Sequence, residues 1–341
     1  MQLFWGLLII ALGSFGQSSS YVPVNRVKQW SWEGFWLTQG VFAWVLFPLA
    51  GACFALPAGS GLMSLFSADG ALRAIVFGAL WGVGGLTFGL SMRYLGVALG
   101  QSVSLGTCSA FGTLLPALFG GTNLMEGSGL VLLAGVCITL AGIAVIGYAG
   151  FLREKTMSRA DRTAAIRDFA FTKGLLVALL AGVMSACFAL GLDAGQAFRV
   201  QAVAAGVDPL FAGLPVVFLV TLGGFLTNAL YCFYPRRRAE EAQAAAPVPL
   251  KVVVNNVLFC ALAGLLWYSQ FFGLEVGRSF LAGSPVLLAF SWSILMSLNV
   301  VFSNVWGVVL HEWRGSSRMT MAVLAAGLVL LVFSVFFPSI C

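Results

Sequence analysis

The sequence predicts an all-α integral membrane protein of about ten transmembrane helices, arranged as two inverted five-helix halves. Three observations predict it: composition, the length of the apolar runs, and the placement of basic residues. Hydrophobic residues form 60% of the 341-residue chain and charged residues only 9%, with a mean hydropathy of +0.97. A soluble domain carries roughly 25% charged residues. This chain cannot cover itself with a polar surface, so lipid must be its solvent. The 41 glycines fit that reading, because small residues let membrane helices approach closely.

An apolar run of about 20 residues spans the hydrocarbon core as a helix. Ten such runs are expected, at 2–20, 33–56, 71–93, 95–119, 128–150, 173–195, 209–234, 251–275, 283–310 and 319–338. The first lacks the basic start and A-x-A-like site of a signal peptide, so it reads as a retained helix. Glu33 opens the second. Only a tight turn at Arg93-Tyr94-Leu95-Gly96 separates the third from the fourth. The fifth is followed by the longest polar segment, 151–172, and the sixth reaches Asp193. Arg236-Arg237-Arg238 close the seventh, and Glu275 ends the eighth toward the outside. Asp69, Glu126 and Asp208 read as loop residues.

Fifteen of the eighteen Lys and Arg residues follow odd-numbered runs; only Arg73, Arg199 and Arg278 follow even-numbered ones. The positive-inside rule puts the first set in the cytoplasm and both termini in the periplasm. The chain then divides into a first half at 1–150, a cytoplasmic linker at 151–172 and a second half at 173–341. Five spans per half invert the second half, the architecture of many secondary transporters. A faint internal similarity links Leu80-Trp81 and Phe88-Gly89-Leu90 to Leu266-Trp267 and Phe272-Gly273-Leu274, with gaps that differ by two residues.

The net charge of +6 reflects basic cytoplasmic loops rather than a nucleic-acid surface. None of the seven cysteines forms a C-x-x-C pair, and six lie in apolar stretches. They read as buried free thiols. His311 is the single histidine, so a histidine metal centre and an H-E-x-x-H protease are excluded. No G-x-S-x-G or Walker loop is present, and Ser60, Ser128 and Ser284 lie beside glycine without a histidine near. A transporter is therefore expected, not an enzyme, with no metal, cofactor or obligatory protein partner. A membrane enzyme acting on lipid-linked sugar is the alternative from another class.

Candidate site residues are polar or aromatic groups at membrane depth. Gly82, Gly84 and Gly85 beside Trp81 either unwind the third helix toward a cavity or let it pack tightly. Trp267, Tyr268 and Gln270 offer aromatic faces for the C–H face of a sugar and polar groups for its hydroxyls, or form part of an interfacial aromatic belt. Gln17, Gln101, Asn255 and Asn299 are further binding candidates among amides that also include Gln39, Asn228, Asn256 and Asn304. Such amides also glue helices together. Asp193 and Glu275 are the candidate proton-coupling groups, since a carboxylate at membrane depth is usually functional; Asp193 ranks first because it follows the uninterrupted run Leu175 to Leu192.

The chain resembles the bacterial L-rhamnose–proton symporter family, in the drug/metabolite transporter superfamily. The similarity lies in Val27-Lys28-Gln29-Trp30-Ser31-Trp32-Glu33, Phe77-Gly78-Ala79-Leu80-Trp81-Gly82-Val83-Gly84 and Ser91-Met92-Arg93-Tyr94-Leu95-Gly96. It continues in Gly206-Val207-Asp208-Pro209-Leu210, Leu214-Pro215, Leu266-Trp267-Tyr268-Ser269-Gln270-Phe271-Phe272 and Glu312-Trp313. The resemblance implies ten helices in two inverted halves, an inner-membrane location and uptake of L-rhamnose or a related deoxysugar with protons. It places Trp81, Trp267, Tyr268 and Gln270 inside shared motifs. Gly85 stands where the family pattern has asparagine, Asn255 and Gly6 where it has histidine, and Asp193 where it has an amide. An exporter or exchanger of another small metabolite on the same fold is the nearer alternative.

Overall fold

A computed structural model describes residues 1–61, 64–67, 70–95, 97–156, 171–233, 248–311 and 313–340. Ten of its helices are long and apolar enough to cross a bilayer: α1 Gln2–Val24, α2 Trp32–Phe54, α3 Ala71–Met92, α4 Leu99–Phe119 and α5 Gly127–Lys155, then α6 Phe171–Ala204, α7 Leu214–Phe233, α8 Leu250–Leu281, α9 Pro285–Val309 and α10 Arg318–Ser339. The described residues contain no strand, as a bilayer requires of a chain whose backbone groups must be satisfied within each segment. Most of the polar segment 151–172, Gly96, Asp69, Glu312, Cys341 and the Arg236–Arg238 run lie outside the described residues.

Local signals set the helix ends. Ser31 caps α2 by accepting from the Gly34 N–H at 3.2 Å, and Ser317 caps α10 by accepting from Thr320 N–H at 3.0 Å. Pro285 opens α9, where its missing N–H leaves nothing unsatisfied. Within α2 the segment Val41–Leu46 widens into a π-helix, and the N–H of Phe47 reaches the carbonyl of Phe42 five residues back. Pro48 follows; lacking an N–H, it removes the normal helical donor for the carbonyl of Trp44.

Several expected boundaries shift by a few residues, and two shifts bear on the site. α6 breaks at Gly195 and resumes as Gln196–Ala204, with Phe198 and Ala202 on its buried side. α8 runs six residues past Glu275, to Leu281, so Glu275 does not end its helix. The expected runs closed near the carboxylates Asp193 and Glu275, and the extensions beyond them carry Arg199 and Arg278.

The helices cluster into two compact units, one of Met1–Leu7, Val83–Leu190 and Phe280–Cys341, the other of Leu8–Gly82 and Gly191–Ser279. Each unit therefore draws on both sequence halves. In the first, Ile143, Ile146, Ala149, Val300, Val301, Leu324 and Leu331 form a continuous core. Buried hydroxyls tie its helices: Ser293 Oγ lies 2.9 Å from both Ser109 Oγ and Thr113 Oγ1. In the second, α3 lies against α7 nearly backbone to backbone; a side chain at Gly78 would strike the Val220 carbonyl, and one at Gly223 the Ile75 carbonyl. α1 meets α8 likewise through Gly13, Gly16 and Gly273. α3 stays helical through Gly82, Gly84 and Gly85. Gly82 packs against Thr227 and Gly224, Gly84 against Ser185, and Gly85 faces open space. The first two glycines thus serve close packing and not an unwound turn.

Candidate functional site

The second unit holds a string of tryptophans. Trp32, exposed at the start of α2, stacks on Trp36 at 5.3 Å, and Trp36 meets Trp44 edge-on at 5.3 Å. Trp44 then closes a triangle with Trp81 of α3 and Trp267 of α8, with ring centroids 5.7–5.9 Å apart. Such spacings are those of favourable edge-to-face and tilted pairs. Glycines make the room: a side chain at Gly224 would strike the Trp81 ring, and one at Gly40 the Trp44 ring. Asn228 locks the frame by accepting from Trp36 Nε1 at 2.9 Å and donating to the Gly224 carbonyl at 2.8 Å.

Two polar atoms in this region have no hydrogen-bond partner among the described residues: Trp44 Nε1 and Tyr268 Oη. Both residues are only 5% exposed. Leaving a buried donor unmatched costs roughly 1–3 kcal/mol. Tyr268 Oη lies over Gly51, where a methyl group would collide with it. Gln270 is buried and donates to the Trp267 carbonyl at 3.1 Å. Trp44, which completes the triangle, was not among the residues singled out in the sequence. It stands deep inside a span, at least ten residues from either end of α2, where an aromatic belt cannot explain it.

The remaining binding candidates scatter. Gln17 is half-buried on α1 and accepts from Ser18 Oγ at 3.3 Å. Asn255 is exposed, with its amide 3.5 Å from the Arg26 carbonyl. Its neighbour Asn256 is fully buried and holds the α1–α2 loop at both backbone groups of Lys28, accepting at 3.1 Å and donating at 2.7 Å. That loop carries Gln29 with a φ of 59°, a left-handed conformation that a non-glycine residue rarely adopts. Gly85, Gln101 and Asn299 belong to the other unit; Gln101 and Asn299 are half-buried on α4 and α9.

The two carboxylates differ sharply. Asp193 is exposed, two residues before the break in α6. Glu275 is 3% exposed and pairs with Arg199 at 3.3 Å and Arg278 at 3.4 Å. Arg199 also donates to Ser279 Oγ at 3.0 Å, and Ser279 donates to the Pro209 carbonyl at 2.8 Å. Gly213 lets the carboxylate in, since a side chain there would occupy its place. A small cleft beside it is lined by Leu192, Gln196, Arg199, Val216, Glu275 and Arg278 among others.

Among the described residues no group of three or more His, Cys, Asp or Glu could hold a metal. The six described cysteines are free, but Cys53 and Cys137 are exposed, contrary to the expected burial of all six. Those two sit on helix faces turned away from the protein interior.

Ten bilayer-length helices, with aromatic and ion-paired groups inside the second unit, define a multi-pass α-helical membrane protein. The profile of the L-rhamnose-proton symport protein (RhaT) family matches residues 1–338. The chain belongs to that family. It is 32% identical over 340 residues to the L-rhamnose-proton symporter of Mannheimia succiniciproducens, covering 98% of this chain and 95% of that one. The corresponding protein of Salmonella gallinarum is 33% identical over 340 residues, with the same coverage. That of Klebsiella pneumoniae is 32% identical over 339 residues, again covering 98% and 95%. With bacterial symporters as relatives, the chain is a multi-pass inner-membrane protein and a transporter, not an enzyme.

Proposed function

We propose that this protein imports L-rhamnose or a closely related deoxysugar together with protons. The observation that carries the reading is the family match over residues 1–338. The Trp44–Trp81–Trp267 triangle supports it chemically. Indole faces suit the C–H face of a pyranose and the methyl group of a 6-deoxy sugar, while buried donors nearby suit its hydroxyls. Trp81, Trp267, Tyr268 and Gln270 are the core of the binding reading.

Halves 1–150 and 173–341 act as inverted repeats that expose a central site alternately to each side. Both termini face the periplasm, and the basic loops face the cytoplasm. Of the two carboxylates, Glu275 is the better proton carrier and Asp193 the weaker one. Glu275 is buried, and it joins the two segments of α6 and α8 that carry Arg199 and Arg278. Neutralising it releases both arginines, so protonation changes the relative stability of two arrangements, as coupling demands.

The test is uptake of labelled L-rhamnose into proteoliposomes with an imposed pH gradient, with competition by a panel of other sugars. Accumulation that requires the gradient and is blocked best by 6-deoxy sugars is expected. Equal uptake with and without the gradient rejects symport. The family match favours import by symport over export, exchange or chemistry on a lipid-linked sugar.

A further inference from the structure

We infer that Trp44 is a substrate-contacting residue whose indole N–H donates a hydrogen bond to one hydroxyl of the transported sugar. The inference rests on the transport reading above and adds a residue and an atom to it.

Three observations converge on this indole. First, its donor is unmatched. Two tryptophans of the described residues are buried to the same 5% exposure. Trp292 Nε1 donates to the Cys108 carbonyl at 3.3 Å, and the adjoining Trp36 donates to Asn228 at 2.9 Å. Trp44 Nε1 has no acceptor among the described residues, so Trp292 and Trp36 are satisfied and this one is open. Second, the residue sits in the π-helical turn Val41–Leu46. Such turns are strained relative to an α-helix and gather at functional sites. Third, Trp44 lies edge-on to both Trp81 and Trp267, at 87° and 77°. The cluster therefore combines indole surface with one unspent directional donor. A ligand that matches both has a hydrophobic edge and a hydroxyl acceptor on one rigid ring, as a deoxyhexose does. Rejection of sugars lacking that acceptor follows, because a donor left bare in a dry site discriminates more strongly than a methyl group.

The experiment is equilibrium binding of L-rhamnose and its monodeoxy analogues to purified full-length protein in detergent, without any gradient. Wild type is compared with Trp44→Phe and with benzothienylalanine placed at position 44. The second keeps the shape of indole and replaces N–H by sulfur, so it separates the donor from packing. L-Rhamnose affinity is expected to fall about tenfold in the sulfur variant, the loss of one hydrogen bond. One monodeoxy analogue is expected to bind both proteins equally, which identifies the accepting hydroxyl. Unchanged L-rhamnose affinity in the sulfur variant overturns the inference. So does an equal loss across every analogue, which marks a packing role. Wild type that binds none of these sugars defeats the transport reading itself, a result distinct from both.

Discussion

Replacing Glu275 by glutamine removes the one buried charge of a three-residue ion cluster while keeping its shape. The carboxylate is 3% exposed, and its contacts to Arg199 and Arg278 measure 3.3 and 3.4 Å. Charge-assisted contacts are strongest at about 2.7–2.9 Å, so each of these belongs near the weak end, about 1.5 kcal/mol. The amide keeps one acceptor oxygen and loses the charge. A net loss of about 2 kcal/mol follows, which shifts an equilibrium between two arrangements roughly thirtyfold. The assay measures two activities of one proteoliposome preparation: accumulation driven by a pH gradient, and exchange of labelled for unlabelled sugar with no gradient. Glu275→Gln is expected to lose accumulation by more than about tenfold while exchange persists, because exchange needs no net proton movement. Asp193→Asn is expected to keep both. Gradient-driven accumulation by Glu275→Gln at the wild-type level refutes the reasoning. Loss of both activities in a folded variant makes Glu275 a clamp between α6 and α8, not a proton carrier.

The Asn256 side chain is expected to be worth about 2 kcal/mol, two backbone hydrogen bonds of about 1 kcal/mol each. Asn256→Ala should lower the melting temperature in detergent and speed trypsin cleavage at Arg26 and Lys28, whereas Asn255→Ala should do neither; equal effects from the two would contradict the geometry. Reporter fusions at 236–238 should report a cytoplasmic loop, and alkaline phosphatase activity there would reverse the proposed orientation.

Hydropathy located all ten spans because it measures what lipid measures, a run of apolar residues about 20 long. It erred where a helix outlives its apolar run. The sixth and eighth runs were closed near Asp193 and Glu275, yet Arg199 and Arg278 lie beyond them on further helix and fold back onto Glu275. The carboxylate's burial depends also on distant partners, Arg199 at 76 residues' separation and Gly213 in the turn before α7, and no local pattern encodes those. Asn255 and Asn256 show the limit more finely. Neighbours on a helix differ by about 100°, so one is exposed and the other buried, and an amphipathic reading of so apolar a helix cannot choose between them. Trp81, Trp267 and Tyr268 were singled out because they stand in specific strings. Trp44 was passed over although it stands mid-span, and the widened turn that carries it leaves only Pro48 as a trace in the sequence.

That turn also acts as a spacer. A π-helical turn absorbs one residue more than an α-helical one over the same advance. If the segment relaxed to α-helix at constant chain length, every position beyond it would swing by about 100°. Gly51 would leave its place under the Tyr268 hydroxyl, and either neighbour, Ala50 or Ala52, would bring a methyl group into that hydroxyl's path. Losing one residue within 41–46 along with the relaxation would restore the fit. Length changes in this stretch are therefore buffered in a way that stiffening of the turn is not, and the far half of the helix keeps its phase by virtue of an irregularity two turns away.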